Sequence, residues 1–172
     1  MKFTQIDNSA ISKLDFDNIE FGKVFTDYML TSDFNGETWS EMSLEPVADL
    51  KMHPGTSVLH YGQAIFEGLK AYKTDDGKVN IFRLRDNLTR LNKSAERMKM
   101  ATIDEEVALE AIKTFVEKQK DWIPPRDKGS LYIRPFMIST DNTLRALASE
   151  SYKFMVIACP VGFYYSTPLN IY

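Results

Sequence analysis

Short apolar-rich runs that end at turn-forming residues predict six strands in this chain. The predicted strands are residues 25–34, 38–44, 69–73, 79–83, 131–138 and 153–161. Asn35-Gly36 predicts a type I′ turn after the first strand, and residues 75–78 (Asp-Asp-Gly-Lys) predict a second hairpin. Pro46 is expected to end the second strand. The last strand is apolar enough to lie in the middle of a sheet.

A first amphipathic helix is predicted between the second hairpin and residue 100. Leu88, Leu91, Ala95 and Met98 follow one another at spacings of three, four and three, which places them on one face of a helix. Asp86 stands just before this stripe, and an aspartate there is a good N-cap because its carboxylate can accept a free backbone N–H. The pattern therefore predicts a helix with one buried face.

A second amphipathic helix is predicted directly afterwards. Residues 102–105, Thr-Ile-Asp-Glu, match the capping-box pattern that opens a helix. Ala108, Ile112 and Phe115 then form its apolar face, and Pro124 with the proline after it ends the segment. Two helices in succession between strand pairs are typical of α+β domains, in which helices cover one side of a mainly antiparallel sheet.

Two segments outside these elements have weaker patterns. Residues 57–66 are apolar and rich in small side chains, which favours a short strand leading into one helical turn. Residues 1–20 are polar and are expected to be frayed or extended. The predicted organisation is an N-terminal extension at 1–20, a small domain at 21–165 and the start of a linker or second domain at 166–172. Thr167 onward has the pattern of another strand, so we expect the sequence to be one domain of a longer protein.

Composition narrows the class of function. The chain has 172 residues, a net charge of −3 and no basic cluster, so it lacks the electrostatic features of a nucleic-acid binder. Its longest apolar run, residues 154–163, is about half of the roughly 20 residues that a membrane span needs. One cysteine and two histidines, with no metal-ligand spacing, predict no metal site and no internal disulfide. We expect a cytoplasmic globular protein that acts on small molecules, with neither nucleic acid nor membrane as a partner.

Arg90 is a candidate anion-binding residue. It lies about one turn into the first predicted helix and shares a face with Ser94 and Arg97, away from the apolar stripe. A guanidinium can bind a phosphate through two parallel hydrogen bonds with little reorganisation. The pattern alone also fits a solvated helix face with no ligand, and the sequence leaves both interpretations open.

Tyr132 and Arg134 form a second candidate pair. Residues two apart in a strand point to the same side, and their immediate neighbours in LYIRPFMI are apolar. An arginine there must meet an anion or reach solvent, because an unpaired buried charge is very costly. The alternative is an edge strand in which Arg134 pairs with a surface carboxylate, and Pro135 fits an edge position.

Tyr61 and Phe66 are candidates for a pocket wall. Gly62 and Gly68 beside them allow tight backbone paths, and aromatic side chains near such turns can enclose an apolar ligand. The alternative is that Phe66 belongs to the hydrophobic core.

Taken together, these motifs resemble the branched-chain amino acid aminotransferases, which are class IV enzymes that depend on pyridoxal 5′-phosphate (PLP). The stretch from His60, HYGQAIFEGLKAYK, is similar to a family motif, and the pattern F-R-x-x-x-N-x-x-R occurs as Phe82, Arg83, Asn87 and Arg90. The resemblance runs from about residue 21 to about residue 165. It implies the small N-terminal domain of the fold type IV enzymes.

The resemblance also implies roles for individual residues. Arg90 would hold the PLP phosphate, and Arg134 would meet a substrate carboxylate. Tyr61 would reach into the neighbouring subunit's site, which implies a homodimer. The pocket wall would consist of Phe25, Phe66, Tyr132 and Tyr164. The lysine that carries PLP is expected beyond Tyr172, so no catalytic residue is expected in this chain.

The expected function is transfer of the amino group of leucine, isoleucine or valine to 2-oxoglutarate, with amino acids and 2-oxo acids as small-molecule partners. This chain would be the half without the catalytic lysine and would be inactive alone. One alternative keeps the fold but changes the substrate, as in D-amino acid aminotransferases and aminodeoxychorismate lyases. Another is a stand-alone dimerisation or ligand-binding module.

Overall fold

The computed structural model describes residues 1–163 and Asn170. In this part of the chain eight strands form one sheet, and three α-helices and two 3₁₀ turns occur. The strands are β1 (Lys2–Phe3), β2 (Tyr28–Phe34), β3 (Ser43–Pro46), β4 (Ala64–Phe66), β5 (Leu69–Lys73), β6 (Val79–Ile81), β7 (Ser130–Ser139) and β8 (Tyr152–Val161). The helices are α1 (Val58–Tyr61), α2 (Leu84–Arg97) and α3 (Glu105–Glu117), and the 3₁₀ turns are Ala10–Lys13 and Lys120–Trp122. None of the helices in the described part of the chain has both the length and the hydrophobicity of a membrane span.

The sheet is mainly antiparallel, as predicted. Its strand order is β1-β3-β2-β8-β7-β5-β6, and β4 also pairs with β7. Every pair is antiparallel except β1 with β3, so the N-terminal segment contributes a short parallel strand to the sheet. The prediction that the last strand lies in the middle is confirmed, because β8 pairs with β2 on one side and β7 on the other.

The hydrophobic core lies between one face of the sheet and the helices α2 and α3. From the sheet, Ile133, Met137, Phe154 and Val156 are inaccessible to solvent. The helices contribute Leu88, Leu91, Ala95, Ala108, Ile112 and Phe115, all at most 1% exposed. These include the predicted apolar faces of both helices, except that Met98 is 42% exposed just after α2.

The two predicted helix caps are three and two residues away from the observed ones. Arg83, with a left-handed φ of 51°, is the N-cap of α2. Asp86 instead lies in the first turn and accepts a hydrogen bond from Arg83 Nε at 2.6 Å, so its prediction as N-cap is wrong. At α3 the N-cap is Asp104, whose side chain accepts the N–H groups of residues 106 and 107. The carbonyl of Thr102 accepts a hydrogen bond from the Trp39 indole N–H at 2.8 Å, which holds this residue outside the helix.

The type I′ turn predicted at Asn35-Gly36 is wrong. Asn35 does not have the positive φ that this turn requires, and the first paired residues on either side are Phe34 and Trp39. Four residues therefore form the loop. The Asn35 side-chain oxygen accepts the N–H groups of Glu37 at 3.0 Å and Thr38 at 2.8 Å, and the Asn35 N–H donates to the Thr38 carbonyl at 3.3 Å.

The order of elements predicted for residues 57–66 is also wrong, because the helical turn α1 precedes the strand β4. Gly62 follows α1 with a left-handed φ of 62°, which ends the helical turn and lets the chain extend. β4 then pairs with residues 136–138 of β7. Pro46 is the last residue of β3, paired with Tyr28, rather than the residue beyond the strand.

The edge-strand alternative for Arg134 is wrong, because β7 has paired strands on both sides. Along one side, β4 pairs with residues 136–138 and β5 with residues 131–133. Pro135 lies at the junction of these two partners, where its carbonyl accepts the Glu67 N–H at 2.9 Å. A residue of an antiparallel strand directs its N–H and carbonyl toward the same neighbour, so the missing proline N–H falls at this gap in the pairing. The gap places Glu67 and Gly68 beside Arg134.

Candidate functional site

The sheet face away from α2 and α3 carries three of the predicted site residues, which are Phe66, Tyr132 and Arg134. In β7, Tyr132 and Arg134 alternate with the buried Ile133 and therefore point away from the helices. Lys70 of β5 and Cys159 of β8 are both paired with Tyr132. We call this surface the open face, defined by Phe66, Lys70, Tyr132, Arg134 and Cys159.

Tyr132 and Arg134 contact each other, as the period-two spacing predicted. The Arg134 guanidinium donates to the Tyr132 hydroxyl from Nη2 at 2.8 Å and from Nε at 3.3 Å. Its central carbon lies 4.2 Å from the centroid of the Phe66 ring, within cation–π distance. Among the described residues no carboxylate lies within 4.0 Å of this guanidinium. Arg134 is thus held by two aromatic side chains, and its Nη1 group can donate to an added anion.

Phe25 and Cys159 share a small cavity with this pair. The cavity has a volume of about 200 Å³, and Phe25, Tyr132, Arg134 and Cys159 are among its lining residues. Burial raises the pKa of the Cys159 thiol, so the neutral form is favoured and the residue is a poor nucleophile. Apolar walls beside one cation suit a ligand with an apolar group and a carboxylate.

Arg90 lies on α2 and forms a two-point ion pair with Glu67. Arg90 Nε is 2.5 Å from Glu67 Oε1, and Arg90 Nη2 donates to Glu67 Oε2. Nη2 also donates to Asn87 Oδ1 at 3.1 Å. The hydrogen bond with Glu67 and the charge of its carboxylate raise the pKa of Arg90. Arg90 is therefore always charged and held in one orientation.

A larger cavity of about 540 Å³ joins Arg90 to the open face. Arg83, Arg90, Lys70, Tyr132 and Asn87 are among its lining residues. Three cationic side chains line this cavity. Its one lining carboxylate among the described residues, that of Asp86, forms an ion pair with Arg83. The balance of charge favours an anionic ligand.

Gly68 is required by the close approach of Tyr132. A Cβ atom at position 68 would overlap the Tyr132 hydroxyl and would lie 3.0 Å from Tyr132 Cζ. A glycine removes this conflict and lets the Tyr132 side chain lie across the junction of β4 and β5. The glycine therefore shapes the wall between the two cavities.

Tyr61 lines neither of these two cavities. Tyr61 is 47% exposed on α1, and its hydroxyl donates to the carbonyl of Leu144. Tyr164 lies outside the described residues, as does most of the strand predicted from Thr167 onward. The roles expected for these two tyrosines stay predictions.

Glu67, Lys70 and Arg83 were given no role in the site by the sequence. The sequence feature that could have identified Glu67 is its position between the apolar residues Phe66 and Leu69. A carboxylate that is buried at such a position needs a cationic partner. Its partner Arg90 is 23 residues away, so the pairing could not be read from spacing. Among the residues that the structure describes, no three histidine, cysteine, aspartate or glutamate side chains are grouped to hold a metal ion.

Known proteins resemble this chain in sequence and in fold, although no protein-family model matches it. The branched-chain-amino-acid transaminase 1 of Bacillus subtilis (strain 168) is 50% identical over 165 residues, which are 93% of this chain and 46% of that protein. The T.th. branched-chain amino acid aminotransferase complexed with 4-methylvaleric acid has a TM-score of 0.59 at 28% identity, covering 76% of this chain and 40% of that one. The same enzyme complexed with N-(5′-phosphopyridoxyl)-L-glutamate has a TM-score of 0.53 at 28% identity, covering 74% and 40%.

The chain spans about half the length of the curated relatives it matches. The similarity covers both the helix-packed face and the open face, because it includes nearly all of the described strands. The resemblance inferred from the motifs is confirmed: along nine-tenths of its length this chain belongs with the branched-chain amino acid aminotransferases, and it spans about half of theirs.

Proposed function

We propose that this chain is the small N-terminal domain, residues 21–165, of a PLP-dependent transaminase. The enzyme moves the amino group of leucine, isoleucine or valine to 2-oxoglutarate. The chain supplies the phosphate-binding arginine and part of the substrate pocket, and the lysine that carries PLP lies beyond Tyr172. The protein works as a cytoplasmic homodimer in which Tyr61 reaches the partner's site.

The proposal rests on one observation: Arg90 and Arg134 lie on either side of Tyr132, each lining a cavity that Tyr132 also lines. Two fixed cations in neighbouring cavities suit a phosphate on one side and a carboxylate on the other. The relatives' names add the substrate class, since the structures in question hold 4-methylvaleric acid and a phosphopyridoxyl derivative of glutamate.

The residues present fit a phosphate-bearing cofactor. Two N–H groups of the Arg90 Nη1 atom have no acceptor among the described residues, and this side chain lines the cavity of about 540 Å³. Arg83 and Lys70 add positive charge to the same walls. When bound, PLP supplies an aldehyde that takes up the amino group and a ring that stabilises negative charge at the substrate's α-carbon.

The chain's own residues bind and orient the phosphate and the substrate. Arg90 holds the phosphate, and Arg134 holds the substrate carboxylate while Tyr132 fixes the plane of its guanidinium. Phe25 and Phe66 offer an aromatic surface that favours a branched aliphatic side chain over a polar one. Holding the reacting groups in a fixed geometry lowers the entropic part of the barrier.

An absorbance spectrum of the full-length gene product with PLP tests this function. We expect a visible band of bound cofactor that L-leucine removes, and a faster response to L-leucine than to D-alanine. A band that leucine leaves unchanged would contradict the substrate class. No band at all would contradict the cofactor and favour a binding module.

Arg90→Ala sharpens the test of the cofactor. Loss of a charged hydrogen-bond donor should weaken PLP binding on the order of tenfold or more, measured as a dissociation constant by titration. Arg97→Ala is the matched control, because Arg97 is on the same helix but does not line the cavity. Equal affinities of the two variants would remove Arg90 from the site.

A further inference from the structure

We infer that Glu67 is a positioning residue: its carboxylate orients the Arg90 guanidinium so that the unused N–H groups face the cavity and bind a phosphate. The inference rests on the proposed function, in which Arg90 binds the phosphate of PLP. It assigns a role to a residue that would not itself touch the ligand.

Glu67 is the fixed member of the ion pair. Its side chain is 7% exposed, whereas that of Arg90 is 66% exposed. Its backbone N–H donates to the Pro135 carbonyl at 2.9 Å, which anchors the junction between β4 and β5 to the central strand β7. An exposed arginine has many rotamers, so a buried carboxylate that binds two of its nitrogens determines where the guanidinium lies.

The hydrogen-bond pattern determines which donors remain. A guanidinium has five N–H donors. Arg90 directs Nε and Nη2 toward Glu67, and Nη2 also toward Asn87. The Nη1 donors have no acceptor among the described residues, and Arg90 lines the larger cavity. Orienting these donors before the ligand arrives removes part of the ordering cost of binding.

Charge repulsion and positioning predict opposite effects of a Glu67 substitution on phosphate binding. The direction of the measured change therefore tests the inference. A carboxylate close to a phosphate repels it, so a neutral residue at position 67 would strengthen binding if charge alone mattered. Loss of orientation would weaken binding, by roughly two- to tenfold for one long side chain that must be ordered. We expect the weakening to prevail, because the two-point ion pair with Arg90 already compensates the charge of Glu67.

The experiment compares two probes, PLP and phosphate-free pyridoxal, on the full-length protein. Both share the ring and the aldehyde, so the ratio of their dissociation constants isolates the phosphate contribution. In Glu67→Gln we expect PLP affinity to fall about fivefold while pyridoxal affinity is unchanged. Glu67→Asp keeps the charge but is one methylene too short for the two-point contact, and we expect a similar fall.

Asp86→Asn is the control for loss of a carboxylate that does not contact Arg90. It removes a carboxylate from the same cavity without a contact to Arg90, since Asp86 binds Arg83. We expect PLP affinity to be unchanged or slightly higher in this variant. A fall equal to that of Glu67→Gln would overturn the positioning role.

The outcomes separate this inference from the proposed function. If the wild-type protein binds both probes equally, the phosphate site at Arg90 is refuted and the inference with it. If the wild type prefers PLP and Glu67→Gln keeps or increases that preference, only the inference is overturned. If Glu67→Asp behaves like the wild type, charge rather than two-point orientation is responsible. Should Glu67→Gln fail to fold, Glu67→Asp decides alone.

Discussion

The two faces of the sheet are made by alternate residues of the same strands, yet their chemistry differs. In β7, Ile133 and Met137 are inaccessible to solvent against the helices, whereas Tyr132 and Arg134, on either side of Ile133, are partly exposed on the open face. In β8, Phe154 lies in the core and Cys159 lies on the open face. One strand therefore contributes one set of residues to the core and the other set to the candidate site.

Polar and charged groups lie where partners or solvent can offset the cost of burying them. Among the described residues, Glu67 is the buried residue with a charged side chain, and it lies at the junction of β4 and β5, because an uncompensated charge in the core would be very unfavourable. Each arginine of the candidate site has partners that hold it: Tyr132 and Phe66 for Arg134 on the open face, and Glu67 for Arg90 on α2. Each guanidinium is held in one orientation, and its Nη1 group has no acceptor among the described residues. This arrangement suits a binding site.

A matched pair of phenylalanine truncations tests the contrast with the largest expected effect. Phe154→Ala should lower the free energy of unfolding by about 3–5 kcal/mol, because Phe154 is fully buried and the change leaves a cavity. Phe66→Ala should cost less than about 1 kcal/mol, because Phe66 is 62% exposed and loses mainly its contact with Arg134. Urea denaturation gives both values. Similar losses in the two variants would contradict the assignment of the faces.

The core face could be predicted from sequence because its residues repeat with the period of their own helix or strand. Ala108, Ile112 and Phe115 in α3 are examples. The caps were missed because capping depends on backbone angles: Arg83 has a left-handed φ that no propensity favours. The order of α1 and β4 depends on pairing with β7, which short-range patterns do not contain.

The candidate site was only partly predictable for the same reason. Tyr132 and Arg134 are two apart on one strand, so their contact follows from the strand period. The pairing of Glu67 with Arg90 joins a strand junction to a helix, and it depends on how α2 lies beside that junction. The resemblance to known enzymes named Arg90, but it gave no partner for its guanidinium.

A substitution at Gly68 tests how closely the open face is packed. Gly68→Ala places a Cβ against the Tyr132 hydroxyl, so we expect a loss of about 1–3 kcal/mol in the free energy of unfolding. In a Tyr132→Phe background the same change should cost less, because the overlapping oxygen is absent. A double-mutant cycle measures this coupling. If the two costs are equal, Tyr132 does not lie against Gly68.

The smallest expected effect concerns Cys159, which lies on the open face but is only 4% exposed. Burial raises its pKa above the ordinary value of 9.0, so the folded state holds the proton more tightly than the unfolded state. The resulting stability is fully present below pH 9 and is lost as the pH rises through the raised pKa. At pH 10 the loss cannot exceed about 1.4 kcal/mol, which is one pH unit of linkage.

Cys159→Ala lacks this contribution, so the difference in unfolding free energy between wild type and variant should shrink between pH 8 and pH 10. Tyr152, whose pKa burial also raises, is present in both proteins and cancels. A difference independent of pH would mean that the thiol is hydrated in the folded protein, and that the segment carrying Phe25 does not cover this part of the open face.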